Sequence, residues 1–346
     1  MIIKLVSKEN EWNRIYESMP EFIGKIYYSF NYFGALRANN EGTPSAVYFK
    51  TENGFIFYPF LIKDVPNLLA QGYADIESPY GYGGPVIIGC DYKDIRQYIQ
   101  EYFNLMREQR VIAEFVRFSP FLPINEALKE TYELSLNRKT VCIELNDSFA
   151  EVIKGCTGAR KRNYKRACRD LYLETNYEIN QAKNIFKNLY TKNMNRLEAD
   201  NYYYFSDNYF DKLLELPAEN ISLNIVCTYD RTPVAAGIFL KDSVSVHYHL
   251  GASDLTYKEM QPASFLILNT AKEAIGEGKK AFHLGGGVSK DCDDKLFRFK
   301  RGFSEQVLNF YIGKKIYDID KYNLISKNWQ KITGKIPEIH LHYHYL

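Results

Sequence analysis

The chain has 346 residues, of which 46% are hydrophobic and 25% are charged, and its formal net charge is +2. This is the composition of an ordinary globular protein, and the length favours two domains over a single hydrophobic core. The near balance of charges excludes nucleic-acid binding driven by net charge alone, so any basic site has to be local.

The first half of the chain alternates predicted strands and helices. An Asn-Gly turn between two apolar runs predicts a hairpin of residues 45–50 and 54–63. Apolar residues at helical spacing predict an amphipathic helix over residues 92–109. Strands are predicted at residues 111–118 and 139–145.

The second half repeats this order. Helices are predicted over residues 149–172, 179–195, 207–216 and 263–277, and strands over 221–229, 233–241, 243–250, 281–284 and 307–317. The repetition predicts two similar α/β modules, residues 1–148 and 149–346, that join near residues 146–150. Each module is expected to be a mixed, mostly antiparallel sheet flanked by helices.

A glycine run followed by an aromatic and cationic segment is the strongest candidate site. Residues 285–287 are three glycines at the end of a predicted strand, where a ligand can approach the backbone closely. If residues 296–301 form a strand, the two phenylalanines face one side while Arg298 and Lys300 face the other. Such a cationic row suits an anionic ligand or a developing oxyanion.

A second candidate is the loop of residues 75–85, in which five of the eleven residues are Gly or Pro. Its glycines allow close approach of a ligand, and Tyr80 and Tyr82 supply rings and hydroxyl groups. The alternative is a long turn that merely packs its tyrosines. The length of the loop and its lack of charge after Glu77 favour ligand binding.

A third candidate is the basic stretch 159–169. On a helix, Arg162, Lys165, Arg166 and Arg169 share one face. Cations without an acid among them are tolerated best beside phosphates, so a diphosphate, a coenzyme A tail, a tRNA acceptor stem or an anionic lipid surface would suit this face. A solvated basic face is the plainer alternative.

The histidines and cysteines give no metal site. His247 and His249 lie on one face of a predicted strand with Tyr248 on the other, and no third ligand is near. The alternating C-terminal histidines and the aspartates at 291–294 also lack the spacing of a functional metal site. Six cysteines without a CxxC pair, no signal peptide and no run of 18 apolar residues predict a cytoplasmic protein without an integral membrane segment.

The sequence also lacks a nucleophile elbow, a P-loop and a dinucleotide fingerprint, which disfavours hydrolases, kinases and dehydrogenases. A reaction that depends on positioning and oxyanion stabilisation fits better, and acyl transfer to an amine is such a reaction. No metal or bound cofactor is predicted.

Taken in order, these motifs resemble the FemAB-like transferases, which are built as tandem GNAT-type acyltransferase modules. The resemblance covers most of the chain, from residues 78–85 through 160–167, 190–204 and 248–253 to 285–301. The family includes enzymes that add amino acids from aminoacyl-tRNA to peptidoglycan precursors. It also includes relatives that resemble acyl-CoA-dependent N-acyltransferases of surface-polysaccharide pathways.

The resemblance implies three groups of site residues. The catalytic group comprises Lys300, which would stabilise the oxyanion or the anionic part of the donor, Phe299, which would shape the same pocket, and Tyr248. The substrate-binding group comprises Tyr80, Tyr82, Arg117, Arg196, Tyr204 and His249. The group that binds the donor and its phosphates comprises Arg160, Arg162, Lys165, Arg166, Gly285, Gly286, Gly287 and Arg301.

Two departures from the peptidoglycan enzymes favour the broader N-acyltransferase branch. Ser119 stands before Pro120 where those enzymes usually carry an acid, and no helical hairpin interrupts the second half. Against an acetyl-CoA donor, residues 258–264 match the glycine-rich pyrophosphate loop poorly. The donor is therefore left open between acyl-CoA and aminoacyl-tRNA.

The predicted function is an N-acyltransferase that moves an acyl or aminoacyl group onto an amine of a cell-envelope or surface-polysaccharide precursor. The expected acceptor is a nucleotide- or lipid-linked sugar or muropeptide, with peripheral membrane contact if it is lipid-linked. One alternative is an aminoacyl-tRNA-dependent enzyme of peptidoglycan synthesis whose basic helix contacts the tRNA acceptor stem. An alternative of another class is an inactive module that only binds the ligand.

Overall fold

The computed structural model describes residues 2–145, 148–291 and 293–345. Within these ranges the strands are, in chain order, β1 (Ile2–Val6), β2 (Thr43–Lys50), β3 (Phe55–Asp64), β4 (Ala74–Glu77), β5 (Val86–Ile88), β6 (Val111–Arg117), β7 (Glu133–Glu144), β8 (Leu171–Glu174), β9 (Ile221–Thr228), β10 (Pro233–Lys241), β11 (Ser245–Ser253), β12 (Ala281–Gly286) and β13 (Val307–Ile316). The helices are α1 (Glu9–Ser18), α2 (Phe30–Ala38), α3 (Tyr92–Glu108), α4 (Glu126–Lys129), α5 (Phe149–Gly155), α6 (Gly158–Ala167), α7 (Ile179–Arg196), α8 (Asp207–Leu214), α9 (Pro262–Gly276), α10 (Lys295–Arg301) and α11 (Ile319–Thr333).

The chain divides into two compact units, and two of the boundaries fall inside strands β7 and β13. The first unit holds residues 1–20, 27–137 and 310–346, and the second holds 21–26 and 138–309. These units differ from the modules 1–148 and 149–346, because residues 310–316 of β13 pair with β6 of the first unit. Residues 146 and 147 of the predicted join lie outside the described ranges.

In the first unit the hydrogen-bonded strand order is β1-β2-β3-β4-β6-β13, and β5 pairs with the far end of β3. Among the described strand pairs of this unit, only β4–β6 is parallel. The helix predicted over residues 92–109 is confirmed as α3, which begins at an Asp91 capping box and buries an apolar face that includes Ile95, Tyr98 and Tyr102. This face packs on β2, β3 and β6 and forms the core of the unit.

In the second unit the strand order is β7-β12-β11-β10-β9-β8, and of the pairs that the structure describes there only β11–β12 is parallel. Helix α9 is apolar around most of its circumference, and it packs into a core formed with residues of β7, β10 and β12. The predicted class, a mixed and mostly antiparallel sheet flanked by helices, is thereby confirmed. None of the helices in the described ranges has the length and apolar character needed to cross a bilayer.

One local prediction is wrong. Residues 296–301 are not a strand, because they belong to helix α10, in which Phe297 and Lys300 share the buried face at helical spacing. Residues 149–172 are mostly helical, as predicted, but in two helices, because Gly155 ends α5 and the side chain of Thr157 caps a new helix, α6. The chain then returns as strand β8 from Leu171.

Candidate active site

The parallel strands β11 and β12 separate and form a fork in the second unit. They pair only over Ser245–His247 and Ala281–His283, although β11 continues to Ser253 and β12 continues to Gly286. Beyond the last paired residues the two strands are not paired with each other, which leaves a space between them. We call this space the fork.

Lys300 reaches the fork from helix α10. Its Nζ donates a hydrogen bond of 2.8 Å to the carbonyl oxygen of Gly286 on β12, and it lies 5.8 Å from the ring centre of Tyr248 on β11. The residue is buried, with 7% of its surface exposed. The structure thus brings together the predicted residues Lys300, Tyr248 and Gly286 and places a lysine nitrogen between the separating strands.

Burial changes the protonation of Lys300. Desolvation disfavours the ammonium form, and the nearby Arg138 repels it, so that the pKa of Lys300 falls to about 7 although Asp294 acts in the opposite direction. Near neutral pH the nitrogen therefore exists in both protonation states. In its charged form it is a strong hydrogen-bond donor inside a site with little water, which is the property needed to stabilise a negative oxygen.

Two residues that the sequence analysis did not single out hold the glycine run and α10 together. The Asp294 carboxylate caps α10 by accepting from the Phe297 amide at 2.8 Å, and it also accepts from the Val288 and Ser289 amides. Arg138 donates to the carbonyl oxygen of Gly287 at 2.6 Å. A capping Asp just before a helix can be predicted from the sequence. The role of Arg138 cannot, because it depends on a contact with a residue distant in sequence.

Steric and backbone constraints explain why residues 285–287 are glycines. A Cβ at Gly287 would lie 2.2 Å from Asp294 Oδ1, and one at Gly286 would lie 2.8 Å from the Lys139 carbonyl oxygen. Gly285 has a φ of 73°, in the left-handed region that favours glycine. The run thus permits the close packing of β12 on β7 and on the start of α10, and this packing presents the Gly286 carbonyl to Lys300.

Phe299 does not share the buried face of α10 that carries Phe297 and Lys300, and it contacts Arg160 of helix α6. The guanidinium carbon of Arg160 lies 4.2 Å from the ring centre of Phe299 and 5.2 Å from that of Phe303. The Arg160 side chain passes close to the backbone of Gly302. A Cβ at residue 302 would lie 2.7 Å from Arg160 Nε. The predicted residues Phe299 and Arg160 therefore form one stacked pair.

A cationic groove of about 570 Å³ lies beside this pair. Four of its lining residues are basic and one is acidic, and together with the other lining residues they are Thr157, Ala159, Arg160, Lys295, Arg298, Phe299, Arg301, Gly302 and Glu305. Arg301 is half-buried and donates to the Ser304 carbonyl. This hydrogen bond holds the Arg301 side chain in place along the groove. The excess of positive charge suits an anionic group such as a phosphate.

The outward face of α6 extends the basic surface of the second unit. Arg162, Lys165 and Arg166 are exposed there as predicted. Arg166 approaches Glu259 at 3.8 Å, and both side chains are more than half exposed, so the pair is weak. The face is thus open to an anionic partner.

The beginning of helix α9 is covered by side chains of α6. Asn163 donates to the side chain of Gln261 at 2.7 Å, and Arg160 donates to Ser264 Oγ at 3.3 Å. Gln261 itself is in the left-handed conformation with a φ of 61°, directly before Pro262. Residues 258–264 are therefore not arranged as a glycine-rich loop that exposes amides to a pyrophosphate.

The two strand histidines of β11 are buried and hydrogen-bonded to other side chains. His249 shares a hydrogen bond of 2.6 Å with the hydroxyl of Tyr209, and His247 shares one of 3.0 Å with Ser245. Burial lowers the pKa of both rings to about 3, so both are neutral at pH 7. His249 is therefore not brought together with Lys300 and Tyr248. Among the described residues no group of three His, Cys, Asp or Glu could hold a metal ion.

Arg196 is the last residue of α7, and Tyr204 lies in the segment between α7 and α8. Arg196 donates to Asn193 Oδ1 at 2.7 Å, and the Tyr204 hydroxyl donates to Asn195 Oδ1 at 2.9 Å. Both residues are exposed, Tyr204 to 40%. This pair is an accessible polar and aromatic surface of the second unit.

In the first unit the predicted loop of residues 75–85 begins later than expected, because residues 75–77 belong to strand β4, and the remaining part is held by backbone hydrogen bonds. The Gly83 amide donates to the Arg117 carbonyl at 2.7 Å, and the Ser119 amide donates to the Gly83 carbonyl at 3.0 Å. The ring of Tyr82 packs edge-on against Tyr27 and Phe310, with ring centres 5.4 and 5.1 Å away. Tyr80 and Tyr82 remain half-exposed.

Arg117 forms part of a largely buried ion-pair cluster. Its guanidinium pairs with Glu77 at 2.7 Å, and Lys63 pairs with the other oxygen of Glu77 at 2.9 Å. Despite the desolvation of the carboxylate, these two cations lower the pKa of Glu77 to about 2. The arginine is therefore oriented by a carboxylate, which the sequence analysis did not identify.

Comparison with known proteins gives a family model and a set of solved structures. Residues 158–301, within the second unit, match the acetyltransferase (GNAT) domain. The structure of FemX is similar with a TM-score of 0.65 at 12% identity, and the match covers 97% of this chain and 100% of that one. L-PGS from Bacillus licheniformis is similar with a TM-score of 0.51 at 11% identity, covering 88% and 96%. A search of curated proteins found no match.

A further similar structure comes from Agrobacterium fabrum and is named as the C-terminal domain of a putative lysylphosphatidylglycerol synthetase, with a TM-score of 0.53, 13% identity and coverage of 87% and 92%. At these identities the structural likenesses show the fold. The resemblance to FemAB-like transferases of tandem GNAT type is confirmed, and the GNAT domain supports an acyltransferase, as predicted.

Proposed function

We propose that this acyltransferase of tandem GNAT-type fold moves an acyl or aminoacyl group from an activated donor onto an amine of a cell-envelope or surface-polysaccharide precursor. The observation that carries the proposal is the position of Lys300, whose Nζ lies between Gly286 and Tyr248 in the fork of the GNAT domain. A carbonyl group held in the fork would meet a buried lysine donor.

The proposed step is a direct acyl transfer. The acceptor nitrogen attacks the donor carbonyl carbon, a C–N bond forms, and the bond to the thiol sulfur or ester oxygen of the donor breaks. Lys300 in its ammonium form donates to the carbonyl oxygen as negative charge develops there. The amine loses one proton, and the leaving thiolate or alkoxide takes one up, so that the charges balance.

The cationic groove is the proposed site for the anionic part of the donor. Arg160 and Arg301 are fixed there by the Phe299 ring and the Ser304 carbonyl, so little side-chain entropy is lost when a phosphate binds. The covered beginning of α9 disfavours the amide-rich phosphate site of acetyl-CoA enzymes. Gly285, Gly286 and Gly287 support the same region by shaping the backbone next to Lys300.

Each unit offers a surface that we assign to acceptor binding. In the first unit this surface comprises Tyr80, Tyr82 and Arg117, and in the second it comprises Arg196 and Tyr204. The tyrosines offer rings and hydroxyl groups suited to a sugar or a peptide. The names of the similar structures, FemX and lysylphosphatidylglycerol synthetase, are compatible with an envelope acceptor. A nucleotide- or lipid-linked sugar or muropeptide in the cytoplasm is the proposed acceptor class.

An aminoacyl-tRNA donor is the second candidate, and the exposed cations of α6 favour it. If Arg162, Lys165 and Arg166 contact RNA phosphates, replacing all three with Gln should weaken tRNA binding and flatten its dependence on salt. The slope of log affinity against log salt concentration should decrease by roughly 0.7 to 0.9 for each phosphate that is no longer neutralised. An unchanged slope would exclude an interaction of α6 with the tRNA.

The first experiment is calorimetric titration of RNA-free protein with acetyl-CoA and with coenzyme A. Saturable micromolar binding supports a CoA-linked donor. If the folded protein binds neither ligand, an aminoacyl-tRNA donor is favoured, and charged tRNA is titrated next. The donor that binds is then used with a panel of amino sugars and muropeptides, and transfer is followed by mass spectrometry of the acceptor.

The variant Lys300→Met tests the central residue once a turnover assay exists. Loss of one oxyanion donor should lower kcat by roughly 100- to 1,000-fold while donor binding is kept. Lys272→Met is the matched control, because Lys272 is exposed on α9 of the same unit. Full activity of Lys300→Met would contradict the mechanism. Tight ligand binding without turnover of any donor would instead favour an inactive binding module.

A further inference from the structure

The segment from α11 to Ile339 in the first unit carries an unusual share of exposed apolar side chains. Ile332, Ile336 and Ile339 have 51%, 80% and 56% of their surface exposed. Ile336 is the most exposed large apolar side chain in the described part of the chain. Single exposed apolar residues are ordinary, but three within eight residues need a physical explanation.

Helix α11 anchors this segment to the unit by its buried side. Ile325 and Trp329 are buried in a small core with Ile112 and Ala113 of β6. Lys327 and Lys331, four residues apart on the other side of the helix, are exposed. The helix ends at Gly334, which has a φ of 68°, and the chain continues past Lys335. Lys327 and Lys331 therefore face outward, whereas Ile332, three residues after Trp329, continues the anchored side of α11 and is exposed where the helix extends beyond the core.

Exposed lysines lie close in sequence to the exposed isoleucines. Lys327, Lys331 and Lys335 recur at every fourth position, and none of them takes part in an ion pair within the described ranges. Residues 319–339 contain four lysines against the two acids Asp320 and Glu338. The α11 surface, defined as Lys327, Lys331, Ile332, Lys335, Ile336 and Ile339, is therefore both apolar and positively charged.

We propose that the α11 surface docks on a bilayer that contains anionic phospholipid. Isoleucine side chains that enter the boundary between headgroups and acyl chains bury apolar surface away from water. The lysine stems can meanwhile extend so that their ammonium groups reach the lipid phosphates. A protein partner fits less well, because lysine is depleted in the buried centre of protein interfaces. This docking is independent of the proposed chemistry, although it suits a lipid-linked acceptor.

The test is sedimentation of the full chain with vesicles of phosphatidylcholine alone and of phosphatidylcholine with one third phosphatidylglycerol. We expect binding to the anionic vesicles that weakens as salt is raised. Lys327→Gln, Lys331→Gln and Lys335→Gln should each reduce the partition coefficient by roughly fivefold. The triple variant of Ile332, Ile336 and Ile339 to Ser should lose binding at all salt concentrations tested.

Matched controls use exposed residues of the same unit. Leu68→Ser removes a side chain that is 74% exposed, and Lys50→Gln and Lys93→Gln remove exposed charges away from α11. Circular dichroism confirms that every variant is folded. The proposal is overturned if the wild-type chain ignores anionic vesicles, or if the control and α11 variants bind alike. It is also overturned if the isoleucine variants abolish only a concentration-dependent dimer, which would identify a second copy as the partner.

Discussion

The pKa of Lys300 links the candidate site to the stability of the protein. An exposed lysine has a pKa of 10.5, whereas burial and Arg138 lower the value for Lys300 to about 7. Between these two values the unfolded chain binds more protons at this residue than the folded chain does. The free energy of unfolding should therefore rise with pH in that window.

A comparison of wild type with Lys300→Met isolates this contribution. From pH 7 to 9 the wild-type free energy of unfolding should gain roughly 2 kcal/mol relative to the variant, measured by urea denaturation. Below pH 7 and above pH 10.5 the difference between the two proteins should be constant. Parallel curves throughout would mean that Lys300 titrates like an exposed lysine. Lys272→Met should show no such relative change.

A methyl group at residue 251 tests how tightly Tyr248 is held. A Cβ at Gly251 would lie 2.0 Å from the Tyr248 hydroxyl oxygen, and the Tyr248 ring is stacked on Phe239 at 5.4 Å. Gly251→Ala should therefore displace the ring and cost about 1–3 kcal/mol. Gly276→Ala is the control, because nothing lies within 4 Å of its Cβ at the end of α9. Equal urea midpoints for the two variants would contradict the geometry.

At the scale of elements, helix α10 depends on a single cap. Asp294→Ala should lower the free energy of unfolding by about 1–2 kcal/mol, because the Phe297 amide loses its acceptor. Asp294→Asn keeps a capping oxygen and should cost less. Asp293→Ala, at an exposed neighbouring position, is the control. If Asp294→Ala were as stable as that control, the cap would not hold the helix.

The elements that the sequence predicts well are those with a local signal. The hairpin β2–β3 has its Asn-Gly turn, and α3 has its apolar face over seventeen residues. Helix α10 has only seven residues, and over so short a span the same aromatic and cationic residues fit a strand or a helix. Its helical state follows from the Asp294 cap and from the burial of Phe297 and Lys300 on one face.

The candidate site was predictable to a similar extent. Lys300, Tyr248 and the glycine run follow from motifs, and the structure brings them together. Arg138 was not predictable, because its bond to Gly287 depends on the antiparallel register of β7 and β12. His249 was assigned to substrate binding from its neighbours in sequence, but its ring shares a hydrogen bond with the Tyr209 hydroxyl, at a register shift of β11 that interrupts the strand alternation.

At the scale of the whole molecule, the first unit is discontinuous in sequence. Its strand β6 pairs with residues 312–316, and the carboxylate of Asp75 accepts from the Tyr343 hydroxyl at 3.0 Å and lies 2.7 Å from His344 Nε2. A module cut at residue 148 therefore lacks parts of this core. The repetition in the sequence could not reveal this, because pairing between distant strands leaves no local pattern.

A chain truncated after Asn309 tests this dependence. Strand β6 loses its neighbour, and the buried Asp75 keeps the Ala113 amide but loses the Tyr343 hydroxyl and His344, so amide hydrogens of β4 and β6 should exchange at least 100-fold faster. A full-length chain with Tyr343→Phe and His344→Gln removes only these two contacts of Asp75 and should show a smaller effect. Full protection of β6 in the truncated chain would contradict the division into units.

This discontinuity has a consequence for biosynthesis. On the ribosome Arg117 emerges long before its pairing partner Ile312, and at 5–20 residues per second the delay is about 10 to 40 s. Residues 138–309 of the second unit are made during that interval, after its residues 21–26, so the second unit can complete its folding first. Meanwhile the strand Val111–Arg117, five of whose seven residues are apolar, keeps one edge unpaired. The nascent chain is therefore exposed to aggregation until its final segment is made, and chaperone binding should be concentrated on β6.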